Sequence, residues 1–170
     1  NEIESGTLEA FEVCKMLCAQ GKAGGAKAYI IMGELSNQAA VQRTTDVEDV
    51  IGMDMCNFIK IIDKQTSNWS REQAQNLMTN WLSSGESFDA VIANNDESAI
   101  GAIQAMKAAG LDMKVIIVGG VDATQDALAA MQAGDLDVTV FQDAAGQGAG
   151  ALTTALKLAR GEKVDKKVYI

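Results

Sequence analysis

Residues 88–110, FDAVIANNDESAIGAIQAMKAAG, decide the fold. A short apolar run ends abruptly on Asn94, Asn95, Asp96 and Glu97, and apolar residues then return with a different period. In the first part they are continuous, as in a strand covered on both faces. In the second, Ala99, Ile100, Ile103 and Met106 recur at helical spacing, and Gly110 stands where a helix is expected to close in a left-handed turn. The segment is therefore a strand, a polar tip and a helix. Asp96 reads as the helix cap, its charge and that of Glu97 favoured by the positive helix end, which leaves Asn95 to point away from the helix.

The same unit recurs outward in both directions. Residues 26–33, 57–63, 113–120 and 137–142 read as further short strands, and helical spacing separates them near 7–20, 38–52, 70–84, 123–133 and 143–160. In 70–84, Ala74, Leu77, Met78, Trp81 and Leu82 form one face, and Ser70 with Gln73 has the spacing of a capping box. Strand and helix alternating in this way predict an α/β fold: an open parallel sheet of about five strands with helices on both faces. The strand at 26–33 is expected near its centre, and residues 1–170 are expected to form a single lobe.

Composition narrows the partners. The net charge is −9 and no Lys/Arg stripe offsets it, so the surface repels phosphate backbones and no nucleic acid is expected. No apolar run reaches the ~18–20 residues of a membrane span. The chain starts at Asn1 on helical sequence, as a trimmed product would. Histidine is absent, which removes the commonest general base and metal ligand. Cys14, Cys18 and Cys56 have no metal-site spacing; inert buried thiols are the favoured reading, with Cys56 pairing to one of the others as the alternative in an oxidising compartment. No cofactor, metal or catalytic function is expected.

Ligands of such sheets bind beyond the carboxyl ends of the strands. Those tips carry Gly33, Glu34, Ser36 and Asn37 with Arg43 on the next helix, then Asn68 and Trp69, then Asn94 to Glu97, then Val121 and Asp122, then Gln142 and Asp143. Amides, carboxylates, one Arg and one Trp suit a neutral ligand rich in hydroxyls, whose C–H face an indole can cover. Taken singly, Arg43 reads as a solvated helix residue, Trp69 as a loop anchor, Gln142 as a turn residue, and Asp122 equally as a cap for the next helix. Together at one sheet edge they read as a site. GQGAGA at 146–151 has a loose dinucleotide pattern but follows the last strand, and GKAGGAKA at 21–28 precedes a strand instead of opening a helix.

The stretches VIANNDESAIGAIQAMKAAG, VIIVGGVDATQDALAAMQAGDLDVTVFQD and LKLARGEKV resemble the carboxy-terminal lobe of periplasmic sugar-binding proteins of the ribose, galactose and myo-inositol type, the soluble receptors of ABC importers. The resemblance implies a type I periplasmic-binding-protein lobe whose amino-terminal lobe is absent from this chain. NEIESGTLEAFEVC resembles the segment after the first crossover between lobes. It further implies a periplasmic or extracytoplasmic location, a monosaccharide or cyclitol ligand, an ABC permease as partner, and ligand contacts at Arg43, Trp69, Asn95, Asp122 and Gln142. Val121 replaces an aromatic frequent in ribose receptors, and SNWSREQAQ is closer to the inositol type. A LacI-type repressor core is the alternative; its usual Pro-containing loop before the last strand is missing from AAMQAGDLDVTVFQ. A flavodoxin-like or small Rossmann enzyme would need a phosphate loop after the first strand, and GELSNQAA is not one.

Overall fold

The computed structural model describes residues 2–166. The chain forms two compact units, Glu2–Phe141 and the segment from Gln142 onward. In the first, α1 (Glu2–Ala19), β1 (Ala26–Met32), α2 (Gln38–Ile51), β2 (Ile59–Thr66), α3 (Arg71–Ser83), β3 (Ala90–Ala93), α4 (Asp96–Ala108), β4 (Ile117–Asp122), α5 (Gln125–Ala133) and β5 (Val138–Phe141) follow one another. All strand pairs are parallel and the order is β2-β1-β3-β4-β5, the five-stranded open sheet expected. β1 is an interior strand, one place from the middle, which β3 occupies. The chain leaves β1 toward β2 on one side and returns to β3 on the other. The crevice between the tips of β1 and β3 is thus the topological switch point.

Alternation along β1 builds two cores. Ala28 and Ile30 pack with Val13 and Leu17 of α1 and Val47 and Val50 of α2. Tyr29 and Ile31 face the other way, onto Met78 and Trp81 of α3 and Ile103 and Met106 of α4. The Trp81 ring stacks on Tyr29 with centroids 4.2 Å apart, and its Nε1 donates to Asp63 at 2.9 Å. Helices therefore cover both faces. Gly110 has φ 80°, and the Gly110 and Leu111 amides donate to the Lys107 and Met106 carbonyls, closing α4 as its sequence predicts.

Two strand boundaries move. Residues 113–115 form a 3₁₀ turn, because the Asp112 side chain accepts from the Lys114 amide and bends the chain before β4 begins. β2 runs on through Asp63, Lys64 and Gln65, since an edge strand needs a neighbour on one side only and tolerates polar residues. The reading of inert thiols is overturned as well. Cys14 and Cys56 are bonded, their Cα atoms 5.8 Å apart, because the fold of α1 against the end of α2 brings residues 42 apart in sequence together. Cys18 is exposed and free.

In the second unit α6 (Ala144–Ala159) is capped by Asp143, whose Oδ1 accepts from the Gly146 amide at 2.8 Å. None of its residues is buried, and Leu152, Leu156 and Leu158 are exposed.

Candidate functional site

At the carboxyl end of the sheet the tip of β3 organises its neighbours. Asn94 is fully buried. Its Oδ1 accepts from the Gly33 amide at 3.0 Å, fixing the exit of β1, and from Thr44 Oγ1 at 3.1 Å, fixing α2. Its carbonyl accepts from Arg43 Nη1 at 2.6 Å.

Arg43 is consequently no solvated surface residue: it is 4% exposed. The close approach of α1 holds its backbone, since a Cβ on Gly6 would lie 2.7 Å from the Arg43 carbonyl oxygen. The guanidinium lies 5.8 Å from the Trp69 ring centroid, within cation–π range, and its Nη1 is 3.8 Å from Asp122 Oδ1. Trp69 itself rests on the exit of β1, where Gly33 leaves room that any Cβ would fill.

The loops that present these side chains carry backbone strain. Among the described residues, the non-glycine positions with positive φ are Asn68 and Trp69, just beyond β2, and Asp122 and Ala123, at the end of β4. Such conformations cost of order 1–3 kcal/mol each and persist only where surroundings enforce them. Asp96 enforces the second pair. Its Oδ2 accepts from the Thr124 amide at 2.8 Å and its Oδ1 from Thr139 Oγ1 at 2.6 Å, while Thr139 Oγ1 accepts from the Ala123 amide at 3.0 Å. Burial pushes the Asp96 carboxyl up, and these hydrogen bonds oppose that.

The capping assignments change accordingly. Asn95, not Asp96, caps α4: its Oδ1 accepts from the Ser98 amide at 3.1 Å and from Ser98 Oγ at 2.6 Å. An amide on extended backbone reaches the N3 amide, whereas Asp96 is already inside the helix and turns to Thr124 and Thr139. The oxygen of Asn95 is thereby committed to the start of α4. Thr124 caps α5, which frees Asp122 of that duty.

The structure therefore brings together four of the five residues expected at the site: Arg43, Trp69, Asn95 and Asp122. Gln142 belongs to the second unit, immediately before the cap of α6. Sequence reasoning missed the organising role of Asn94, which only the tertiary contacts reveal, and the buried carboxyl of Glu9, which helical spacing from Val13 would have exposed. Among the described residues no cluster of metal-binding side chains occurs. Nor, among the described residues, is any helix long and apolar enough to cross a membrane. The arrangement presents a guanidinium, a carboxylate, an amide donor and an indole face: groups that bind hydroxyls and cover C–H surface.

Residues 2–163 match the family model of the periplasmic binding protein domain. A Rhizobium meliloti protein provisionally described as rhizopine-binding is 61% identical over 170 residues, 100% of this chain and 53% of the relative. The ribose import binding protein of Escherichia coli is 33% identical over 147 residues, 86% of this chain and 48% of the relative. An ABC transporter solute binding protein from Bacillus halodurans, solved with bound myo-inositol, superposes with a TM-score of 0.87 at 42% identity, covering 96% of this chain and 54% of that one. The chain thus spans about half the length of the curated relatives it matches.

Proposed function

The chain belongs to the periplasmic binding proteins, a family of solute-binding receptors, and from that premise we propose that it is the carboxy-terminal ligand-binding lobe of an extracytoplasmic receptor that captures a monosaccharide or cyclitol for an ABC importer. The observation that carries this reading is the convergence at the switch point of the sheet of Arg43, on α2, with Trp69 and Asp122, whose own backbones are held in strained conformations. Trp69 offers its indole face to ring C–H groups. Arg43 donates to ligand hydroxyls, Asp122 accepts from them, and the Nδ2 of Asn95 donates. Gln142, the fifth residue expected from the sequence, lies in the second unit and has no assigned part in this set. The amino-terminal lobe supplies the opposite wall, and the closed pair docks on the permease. Neither a cofactor nor catalysis has a part in this scheme. The relatives described above are import and solute binding proteins, and the repressor reading draws no support from them.

A cyclitol is the favoured ligand. The myo-inositol-bound relative is more similar in sequence than the ribose import protein, at 42% against 33% identity. Calorimetry on the full-length protein against myo-inositol, ribose and galactose tests the reading, with rhizopine added because a 61% identical relative bears its name. Dissociation constants near micromolar, about −8 kcal/mol, are expected for at least one of them. Failure of all four to bind below millimolar concentration overturns the proposal.

A further inference from the structure

Ser67 is the first residue beyond β2, at the start of the loop that carries Trp69, and Ser98 is the third residue of α4. Both are fully buried. The third position of a helix often holds Glu or Gln, long enough to reach back to the backbone amide of the cap. Serine is too short for that, and its hydroxyl goes to the side chain of the cap instead. Ser98 Oγ donates to Asn95 Oδ1 at 2.6 Å, beside the Ser98 amide at 3.1 Å. On its other side Ser98 Oγ lies 2.8 Å from Ser67 Oγ. Each hydroxyl has a single proton to give, which fixes the direction of the chain. Ser98 gives its proton to Asn95, so Ser67 is the donor between the two serines. The rival acceptor for Ser67, the Met32 carbonyl, is farther off at 3.4 Å and already accepts from the Ser67 amide at 2.9 Å.

This latch joins two parts of the crevice that lie far apart in sequence. Ser67 is followed at once by Asn68 and Trp69, whose φ angles are 51° and 64°. Backbone held in that region needs its neighbours fixed. Thr66 Oγ1 fixes one side, donating to the Gly33 carbonyl at 2.6 Å and accepting from the Asn68 amide at 3.0 Å. Ser67 fixes the other: its carbonyl accepts from the Ser70 amide at 2.9 Å, and its hydroxyl reaches across to α4. At the far end of the latch, Asn95 Oδ1 accepts from both the amide and the hydroxyl of Ser98. Turning that group over would set its NH2 against two donors, so the orientation of the amide is decided. The helices do not depend on the latch. α3 and α4 are held to each other by the close approach at Gly101 and by the Arg71–Glu97 pair.

We propose that Ser67 and Ser98 are positioning residues for the ligand site, a buried hydroxyl latch that holds the loop of Trp69 and the amide of Asn95 at one fixed spacing. The inference rests on the ligand-binding reading above. Removing the Ser67 hydroxyl releases the loop end of the latch while Ser98 still holds Asn95, so its effect on binding passes through Trp69. Removing the Ser98 hydroxyl releases both ends. In neither case is a ligand contact deleted, and in neither case are the helices unpacked.

The test is calorimetry on the full-length protein, using whichever of myo-inositol, ribose, galactose and rhizopine the wild type binds most tightly. Ser67→Ala is expected to weaken binding by about fivefold or more, the worth of one buried hydrogen bond. In a Trp69→Ala background the same substitution is expected to change affinity by less than about twofold, because the loop then has no ring to place. Losses of equal size in the two backgrounds, or a Ser67→Ala affinity within about twofold of wild type, overturn the latch. A hydroxyl with a merely structural role lowers the melting temperature and leaves the dissociation constant unchanged. Where Ser67→Ala does not fold, Ser98→Ala cuts the same bond from the α4 side. It should lose more affinity with Trp69 present than with Trp69 replaced, and equal losses overturn the latch. If the wild type binds none of the four solutes, the ligand-binding reading itself is wrong and the latch falls with it.

Discussion

At the scale of single residues, the site depends on a few groups that each have one geometry open to them. Asp122→Ala or Trp69→Ala in the full-length protein is expected to weaken ligand binding by about 10-fold or more, since a buried charged hydrogen bond or an aromatic face is worth at least ~1.4 kcal/mol. Calorimetry reads this, and binding unchanged by both substitutions counts against the site. Gly33→Ala reaches the same end indirectly: the new methyl occupies the seat of the Trp69 ring, so affinity falls although no ligand contact has been removed. Glu9 makes a separate prediction about stability. Its carboxyl is raised on folding, so the native state keeps a proton that the unfolded chain releases. That contribution is complete below the ordinary glutamate range and is lost as pH climbs toward the raised value. Thermal melts of wild type and Glu9→Gln should therefore diverge with rising pH, the variant melting higher. The gathering of Arg43, Trp69 and Asp122 was legible because strand tips are where an open sheet holds polar groups, whereas the division of labour between Asn95 and Asp96 was read the wrong way round. The roles of Asn94 and Asp96 were not legible, because they follow from partners on other elements: Gly33 and Thr44 for one, Thr124 and Thr139 for the other.

At the scale of elements, α3 and α4 are read from their periodicity and confirmed by their burial. Ala74, Leu77, Met78 and Trp81 on one, and Ala99, Ile100, Ile103 and Met106 on the other, all lie in one core. The sequence does not tell how closely the two helices approach. A Cβ on Gly101 would collide with the carbonyl oxygen of Arg71, a backbone atom with nowhere to go. Gly101→Ala should lower stability by about 2 kcal/mol or more, measured by denaturant unfolding, despite alanine's better helix propensity. Caps show the same limit. Ser70 accepts from the Gln73 amide as foreseen, but the Gln73 side chain accepts from Asn68 instead of returning to Ser70. A capping box needs its second partner unclaimed, and the left-handed loop before α3 claims it. The start of β4 and the end of β2 escaped for related reasons: an Asp-initiated turn and an edge position both override hydrophobic pattern.

At the scale of the whole molecule, the bond between Cys14 and Cys56 closes a loop of 42 residues and ties α1 to the chain beyond α2. Reduction should lower stability by about 4 kcal/mol on the chain-entropy model, visible as a fall in melting temperature that reoxidation reverses. On the proposed two-lobed reading, this chain should bind poorly by itself. The isolated chain keeps the full penalty of immobilising a ligand while leaving the other side of that ligand in water, so millimolar affinity or weaker, about −4 kcal/mol or less, is expected of it by calorimetry. Micromolar binding by this chain alone would mean that the second lobe adds little. The two tryptophans give the molecule an optical readout of its own. Trp81 is locked in the core against Tyr29 and Asp63, so its emission forms a constant background. On the proposed reading Trp69, half-buried at the rim beside Arg43, is the fluorophore whose surroundings should change when a solute arrives, so that occupancy would be measurable without any attached dye.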